Sequence, residues 1–298
     1  MSILIDENTR VIVQGITGRE GSLRSKYMKN YGTKVVAGTS PSRGGEEVDG
    51  IPVYNTIKEA ARAQGSIDMS VTFIPGPGLK MAVFEAIDAG IKCIVCPVER
   101  VPLHDIMEMV AVAKKAGAMI VGPGSIGVMS PGKAVAGWLG GNVEWASKLF
   151  QSGPIGVLSR SGGESGTLPW ILKNGGLGVS TAIHTGTEPI LGMSFADFLL
   201  QFQEDKQTLA VAAFGEIGGS QEEEVAEVIK AGKFSKPFVI YIAGAAAPEG
   251  QRFSHASAII ERGHGSVQGK VKALREAGAY PVETPKRIVP TLKKLLSL

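Results

Sequence analysis

The stretch Arg10-Val11-Ile12-Val13-Gln14-Gly15-Ile16-Thr17-Gly18-Arg19-Glu20-Gly21 decides how the first half of the chain is read. Arg10–Gln14 has strand character and runs into a glycine turn, which opens a helical stretch through roughly Ser22–Asn30. Strand, glycine turn and helix in that order begin a parallel α/β sheet, where ligands gather at the carboxyl ends of strands. Glycines let the backbone approach a diphosphate. The helix N-terminus adds oriented N–H groups and a partial positive charge. The plain alternative is a tight turn that holds no ligand.

Outward from that stretch, buried strands at Lys34–Ala37, Met69–Phe73, Cys93–Cys96 and Met119–Val121 alternate with helices near Ile57–Ala63, Leu79–Ala89 and Ile106–Ala116. The alternation breaks over Pro131–Ser152, where Gly137, Gly140, Gly141 and Gly153-Pro154 punctuate the chain. A second series then begins, with strands at Ile155–Leu158, Ser180–Ile183, Leu209–Ala213 and Phe238–Ile242. Its helices are expected near Thr167–Asn174, Phe195–Glu204, Gln221–Ala231, Val267–Ala277 and Arg287–Leu296. The pattern predicts two doubly wound α/β domains. These are a Rossmann-like domain over 1–130, a linker region over 131–152 and a flavodoxin-like domain over 153–298.

Composition agrees with two ordinary cores. A chain of 298 residues with 44% hydrophobic and 20% charged residues has the balance of a soluble globular protein. A net charge of +3 without a Lys/Arg run gives no warrant for a nucleic-acid partner. Neither a signal peptide nor an 18-residue apolar span is present, so no membrane partner is expected. The expected compartment is the cytoplasm, or an organelle matrix in a eukaryote. Cys93 and Cys96 form C-x-x-C inside an apolar strand, where they read as small hydrophobes rather than a redox or metal pair.

The ligand of the first turn is narrowed by the second strand. An NAD site wants an acid near that strand's end, to hold the ribose 2′-hydroxyl. Here the chain continues Val36-Ala37-Gly38-Thr39-Ser40-Pro41-Ser42-Arg43, with no acid before Glu46. Arg43 suits an extra ribose phosphate, which leaves NADP and CoA as candidates.

A second anion-binding loop follows Ile155–Leu158, as Ser159-Arg160-Ser161-Gly162-Gly163 opening a helix. Hydroxyls and successive N–H groups there make a nest for phosphate or carboxylate, though an ordinary helix cap reads the same way. Of four histidines, His255 has the most informative surroundings, a run of small residues over Ala243–Ala258 after a strand. Glu216, in Gly215-Glu216-Ile217-Gly218-Gly219, could hold an imidazole by its Nδ1–H and leave Nε2 nucleophilic. It could equally be a helix-start carboxylate favoured by the dipole.

Taken together, these segments resemble the α subunit of the succinyl-CoA synthetase family. The opening Met1–Asp6, the Gly15–Gly21 turn, Ser159–Gly162, Gly215–Gly219 and the His255 loop occur in the family's order and at similar spacing along the whole chain. The resemblance implies a relay in which a β subunit with an ATP-grasp fold phosphorylates His255 from ATP or GTP with Mg. The phosphoryl group then passes to a small carboxylic acid, and the thiol of CoA displaces phosphate. Residue by residue, it implies that Thr17, Gly18, Arg19, Glu20, Arg43, Pro97, Val98 and Glu99 lie along CoA. It implies further that Glu216 orients His255, and that Ser159, Arg160, Ser161, Gly162 and Gly163 handle the phosphate, with Gly166 at the acyl site.

Departures from the family's pattern concentrate around the acid. Its Thr-Leu-Thr-Tyr-Glu is Gly163-Glu164-Ser165-Gly166-Thr167 here, so the family's tyrosine falls on Gly166, and the double glycine is reminiscent of ATP-citrate lyase. Its Gly-Gly-Asp-Pro is Gly186-Thr187-Glu188-Pro189, and glycines near the histidine are Ser254 and Ser257. Malate or citrate are alternative acids on this account. A CoA-binding protein without phosphoryl chemistry and an NADP-dependent oxidoreductase are the readings from other classes.

Overall fold

A computed structural model describes residues 2–252, 255, 258–260 and 264–298. Ser254 and Ser257, singled out above, lie outside the described residues. The first half builds strands β1 (Arg10–Gln14), β2 (Lys34–Thr39), β3 (Glu47–Val48), β4 (Ile51–Tyr54), β5 (Met69–Thr72), β6 (Cys93–Val95) and β7 (Met119–Val121). Between them run helices α1 (Arg19–Tyr31), α2 (Ile57–Gln64), α3 (Gly76–Asp88) and α4 (Leu103–Ala116). The sheet order is β3-β4-β2-β1-β5-β6-β7, parallel except for β3 on β4. From β4 to β7 this is the doubly wound Rossmann order, which reverses direction at β1.

Strand alternation explains why helices cover both faces. Val11 and Val13 of β1 point into one apolar cluster with Tyr27 and Met28 of α1. Ile12 between them points into another, with Ile57 of α2, Val83 of α3 and Ile106 of α4. Gly15 follows β1 with φ +79°, and a Cβ there would lie 2.5 Å from the Phe73 carbonyl oxygen. Gly21 sits in the first turn of α1, where a Cβ would lie 2.1 Å from the Gly15 oxygen. Both close approaches require glycine.

The second half contributes β8 (Gly127–Ser130), β9 (Ala134–Gly137), β10 (Ser152–Ser159), β11 (Val179–His184), β12 (Ala210–Glu216), β13 (Phe238–Ala243) and β14 (Tyr280–Val282). Its helices are α5 (Val143–Leu149), α6 (Glu164–Asn174), α7 (Phe195–Glu204), α8 (Gln221–Lys230), α9 (Val267–Glu276) and α10 (Ile288–Leu296). The sheet order is β14-β13-β12-β10-β11-β8-β9. Its parallel part, β11 to β14, has the flavodoxin order, and the β8–β9 hairpin extends it antiparallel.

The hairpin and α5 occupy much of what the sequence presented as a linker. Val128, Met129, Val135 and Ala136 are buried in the same cluster as Val11, Met28 and Phe198, so one apolar core runs from the first sheet into the second. Thr33 donates from Oγ1 to the Val135 carbonyl at 2.7 Å and accepts from the Val135 N–H at 3.0 Å. Tyr27 donates its hydroxyl to the Leu139 carbonyl. Of the glycines that punctuate this region, Gly137 ends β9, Gly140 and Gly141 lie between β9 and α5, and Gly153 lies in β10. Cys93 and Cys96 are buried free thiols, pushed up to about 12 by desolvation. Among the described residues no helix is long and apolar enough to cross a membrane.

Candidate functional site

At the carboxyl end of the first sheet, Gly18 precedes α1 and leaves its first turn without a side-chain cap. Thr17 Oγ1 lies 2.6 Å from Ser40 Oγ, which joins the β1 turn to the end of β2. A cleft of about 270 Å³ opens beside this turn, lined by Glu20, Phe73, Pro75, Pro97, Val98 and Trp138. Three of the residues expected along CoA (Glu20, Pro97 and Val98) therefore meet in one cleft. Phe73 and Trp138 were not anticipated. Their rings stand 6.1 Å apart, and the Arg24 guanidinium covers Trp138 at 4.9 Å. Such an apolar wall beside polar N–H groups suits a ligand with both a ring or chain and a phosphate.

Arg43 stands outside the wall of this cleft, on the loop after β2, with its guanidinium on the Glu46 carboxylate at 2.6 and 2.7 Å. Glu99 also turns away, accepting from Thr187 Oγ1 at 3.2 Å. That contact is one of several straps between the two halves. The Gly192 N–H donates to the Gly122 carbonyl at 2.9 Å, and Glu188 accepts the Arg100 N–H. The segment after β6 is thereby tied to the turn after β11, which adjoins the second anion loop.

That loop leaves β10 at Ser159. Ser159 Oγ donates to the Ser161 carbonyl at 2.8 Å and accepts the Ser161 N–H at 3.1 Å. Ser165, one turn into α6, donates to the same carbonyl at 2.8 Å. These bonds hold the loop in a closed form in which Arg160 is only 5% exposed. Arg160 Nη2 lies 3.4 Å from Glu216 Oε1, and the other oxygen of Glu216 lies 2.6 Å from His255 Nδ1. Arg160, Glu216 and His255, from three separate segments, thus form one chain of contacts.

A cleft of about 360 Å³ adjoins them, lined by Arg160, Ser194, Glu216, Gly218, Gly219 and Gln221 among others. Its floor is the turn between β12 and α8. Gly163 and Gly166 do not face it. They line a different opening of about 390 Å³, with Leu149, Thr167 and Trp170. A third, largely apolar cleft of about 590 Å³ lies on the Ala243–Pro248 side of Glu216.

His184 is a functional candidate that local sequence did not promote. It is buried, its Nδ1 accepts the Ile126 N–H at 2.9 Å, and its Nε2 faces the Arg160 carbonyl at 3.2 Å. Nδ1 must be an acceptor, so Nε2 carries the hydrogen and donates to Arg160. Burial pushes this imidazole down to about 4, which keeps it neutral. His184 braces the backbone of the anion loop. No sequence spacing signals those two long-range bonds.

Comparison with known proteins matches residues 6–99 to the CoA binding domain and residues 158–280 to the CoA-ligase domain. The chain is 45% identical over 296 residues to the α subunit 2 of an ADP-forming succinate–CoA ligase from Archaeoglobus fulgidus, spanning 99% of this chain and 100% of that one. It is 43% identical over 295 residues to a subunit of an ADP-forming sulfoacetate–CoA ligase from an Acholeplasma species, spanning 99% and 98%. Among solved structures, Methanosaeta concilii ATP citrate lyase in complex with (3S)-citryl-CoA superposes with a TM-score of 0.90 at 26% identity, covering 99% of this chain. The chain spans about half (51%) of the length of that lyase chain.

Proposed function

The chain belongs to the family of acid–CoA ligase α subunits, and from that premise we propose that His255 is its phosphoryl carrier, oriented by Glu216. The observation that carries this reading is the 2.6 Å contact between His255 Nδ1 and Glu216 Oε2 beside the Arg160 loop. A carboxylate on Nδ1–H fixes the tautomer that leaves the Nε2 lone pair for attack, and it stabilises the charge that the ring gains on phosphorylation.

In the first step Nε2 attacks the terminal phosphorus of ATP or GTP. An N–P bond forms and the P–O bond to the nucleoside diphosphate breaks. In this reading the nucleotide and its Mg sit on a partner β subunit of ATP-grasp fold. In the second step an oxygen of the acid takes the phosphoryl group and the P–N bond breaks, regenerating the imidazole. In the third, the sulfur of CoA attacks the acyl carbon and inorganic phosphate leaves. Arg160 and the N–H groups of Gly162 and Gly219 offset the negative charge carried between these steps.

CoA is assigned to the cleft of Glu20, Pro97, Val98, Phe73 and Trp138, with its phosphates toward Thr17, Gly18 and Arg19. Arg43 serves the ribose phosphate in this reading, which requires it to leave Glu46. The straps through Glu99 and Glu188 connect the thiol side of that cleft to the anion loop. Succinate is the first acid to test, since the relative at 45% identity is named for it. The reaction belongs in the cytoplasm or an organelle matrix.

The test is turnover. The chain purified with its β partner is given ATP or GTP, CoA and a panel of succinate, sulfoacetate, malate and citrate. Nucleoside diphosphate and acyl-CoA formed together, for at least one acid, support the reading. CoA binding with no acid-dependent nucleotide cleavage contradicts it, as does full turnover by this chain alone.

A further inference from the structure

The turn that carries Glu216 is crowded with negative charge. The first turn of α8 supplies Glu222, Glu223 and Glu224, and the cleft beside Arg160 is lined by Glu216, Glu222, Glu224 and Asp197. Such a cleft repels a phosphoryl group unless cations offset the carboxylates.

Lys270 supplies such an offset from below. It belongs to the first turn of α9, capped by the Ser266 side chain, and is fully buried at 0% exposure. Its Nζ donates to Glu222 Oε2 at 2.6 Å, to Glu223 Oε2 at 2.9 Å and to the Gly219 carbonyl at 3.1 Å. Those three bonds use every hydrogen of the ammonium group. Burial alone would lower its affinity for the proton, but the two carboxylates outweigh burial and it is raised, so the group stays charged.

The contacts continue toward the histidine. Glu222 uses its other oxygen to accept the Glu216 N–H at 3.2 Å. The Gly218 N–H donates to the Gly265 carbonyl at 2.8 Å, so the segment entering α9 is tied to the same turn. Lys270 touches neither His255 nor the cleft. It acts through Glu222 and Gly219 on the backbone from which Glu216 projects.

We propose that Lys270 is a positioning residue of the phosphoryl relay: its buried ammonium fixes the Glu216–Gly219 turn and offsets the α8 carboxylates, so that Glu216 meets His255 at Nδ1. The inference rests on the reading of His255 as phosphoryl carrier. A buried lysine that served packing alone would affect stability without affecting the histidine.

The test uses the complex with the β partner and Lys270→Met, which keeps the length of the stem and removes the charge. Three quantities are read: CoA affinity, the rate of phosphoryl labelling of His255 from ATP, and the downfield proton resonance of the His255 Nδ1–H, assigned with His255→Asn. Displacement of a positioning group costs about 100-fold in rate. Lys270→Met is therefore expected to label about 100-fold more slowly per folded chain, with that resonance shifted or lost and CoA affinity unchanged. Should the single variant not fold, Lys270→Met combined with Glu222→Gln and Glu223→Gln leaves no buried unpaired charge, and the same slow labelling is expected. Wild-type labelling rate and resonance in either folded variant overturn the proposal. Failure of both variants to fold assigns Lys270 to the core and also overturns it. A wild-type complex that takes no label removes the underlying reading instead, a result distinct from the others.

Discussion

His255 and Glu216 are 39 residues apart in the chain, yet His255 Nδ1 stands 2.6 Å from Glu216 Oε2. Glu216 ends β12, and His255 follows β13, the strand paired in parallel with β12. The parallel sheet therefore places both groups at its carboxyl edge, where the anion loop after β10 also emerges. Arg160 reaches the same carboxylate from that loop, at 3.4 Å.

Glu216→Gln keeps an acceptor for Nδ1–H but removes the charge that stabilises a protonating or phosphorylating ring. Labelling of His255 from ATP is expected to slow by about 100-fold, the scale on which a positioned acid–base partner acts. CoA affinity, measured by calorimetric titration, is expected to stay as in the wild type, because Glu216 does not line the Trp138 cleft. A variant that labels at the wild-type rate would remove Glu216 from the mechanism.

His184 should make stability depend on pH. Its imidazole falls from 6.5 to about 4 on burial, so between those values the unfolded chain binds a proton that the folded chain does not. The contribution is complete above pH 6.5 and is lost as pH falls toward 4, by on the order of 3 kcal/mol. Urea denaturation across that range should show a steeper loss for the wild type than for His184→Asn. Parallel curves would mean that His184 titrates normally in the folded protein.

Gly166 lies inside α6, where a Cβ would meet only Leu149 Cδ1, at 3.8 Å. Nothing in the fold requires glycine there. Gly166→Ala is expected to stabilise the chain by about 0.5–1 kcal/mol through helix propensity, read from the denaturation midpoint. Destabilisation would show that the opening beside Leu149 and Trp170 does not tolerate a methyl group.

The strand–turn–helix at Arg10–Gly21 and the helix Phe195–Glu204 were legible because their periods, glycines and caps are local. The β8–β9 hairpin was not, since its short, glycine-rich strands gain their burial from α1 and the second sheet. Within the candidate site, the anion loop could be read from its own residues, while Glu20, Pro97 and Val98 were named only through the family resemblance. Phe73 and Trp138 could not, because aromatic residues in loops carry no period. His184 and Lys270 escaped for a related reason. A histidine ending a strand and a lysine on a helix read as surface until their partners, Ile126, Arg160, Glu222 and Gly219, are brought in by the fold.

The most direct test is to incubate the chain and its β partner with terminally labelled ATP and map the label by peptide mass. One phosphoryl group on His255, absent from His255→Asn, transferred when the acid is supplied and released as inorganic phosphate once CoA is added, is the predicted result. Label on another residue, or none on His255 while CoA still binds, would contradict the account.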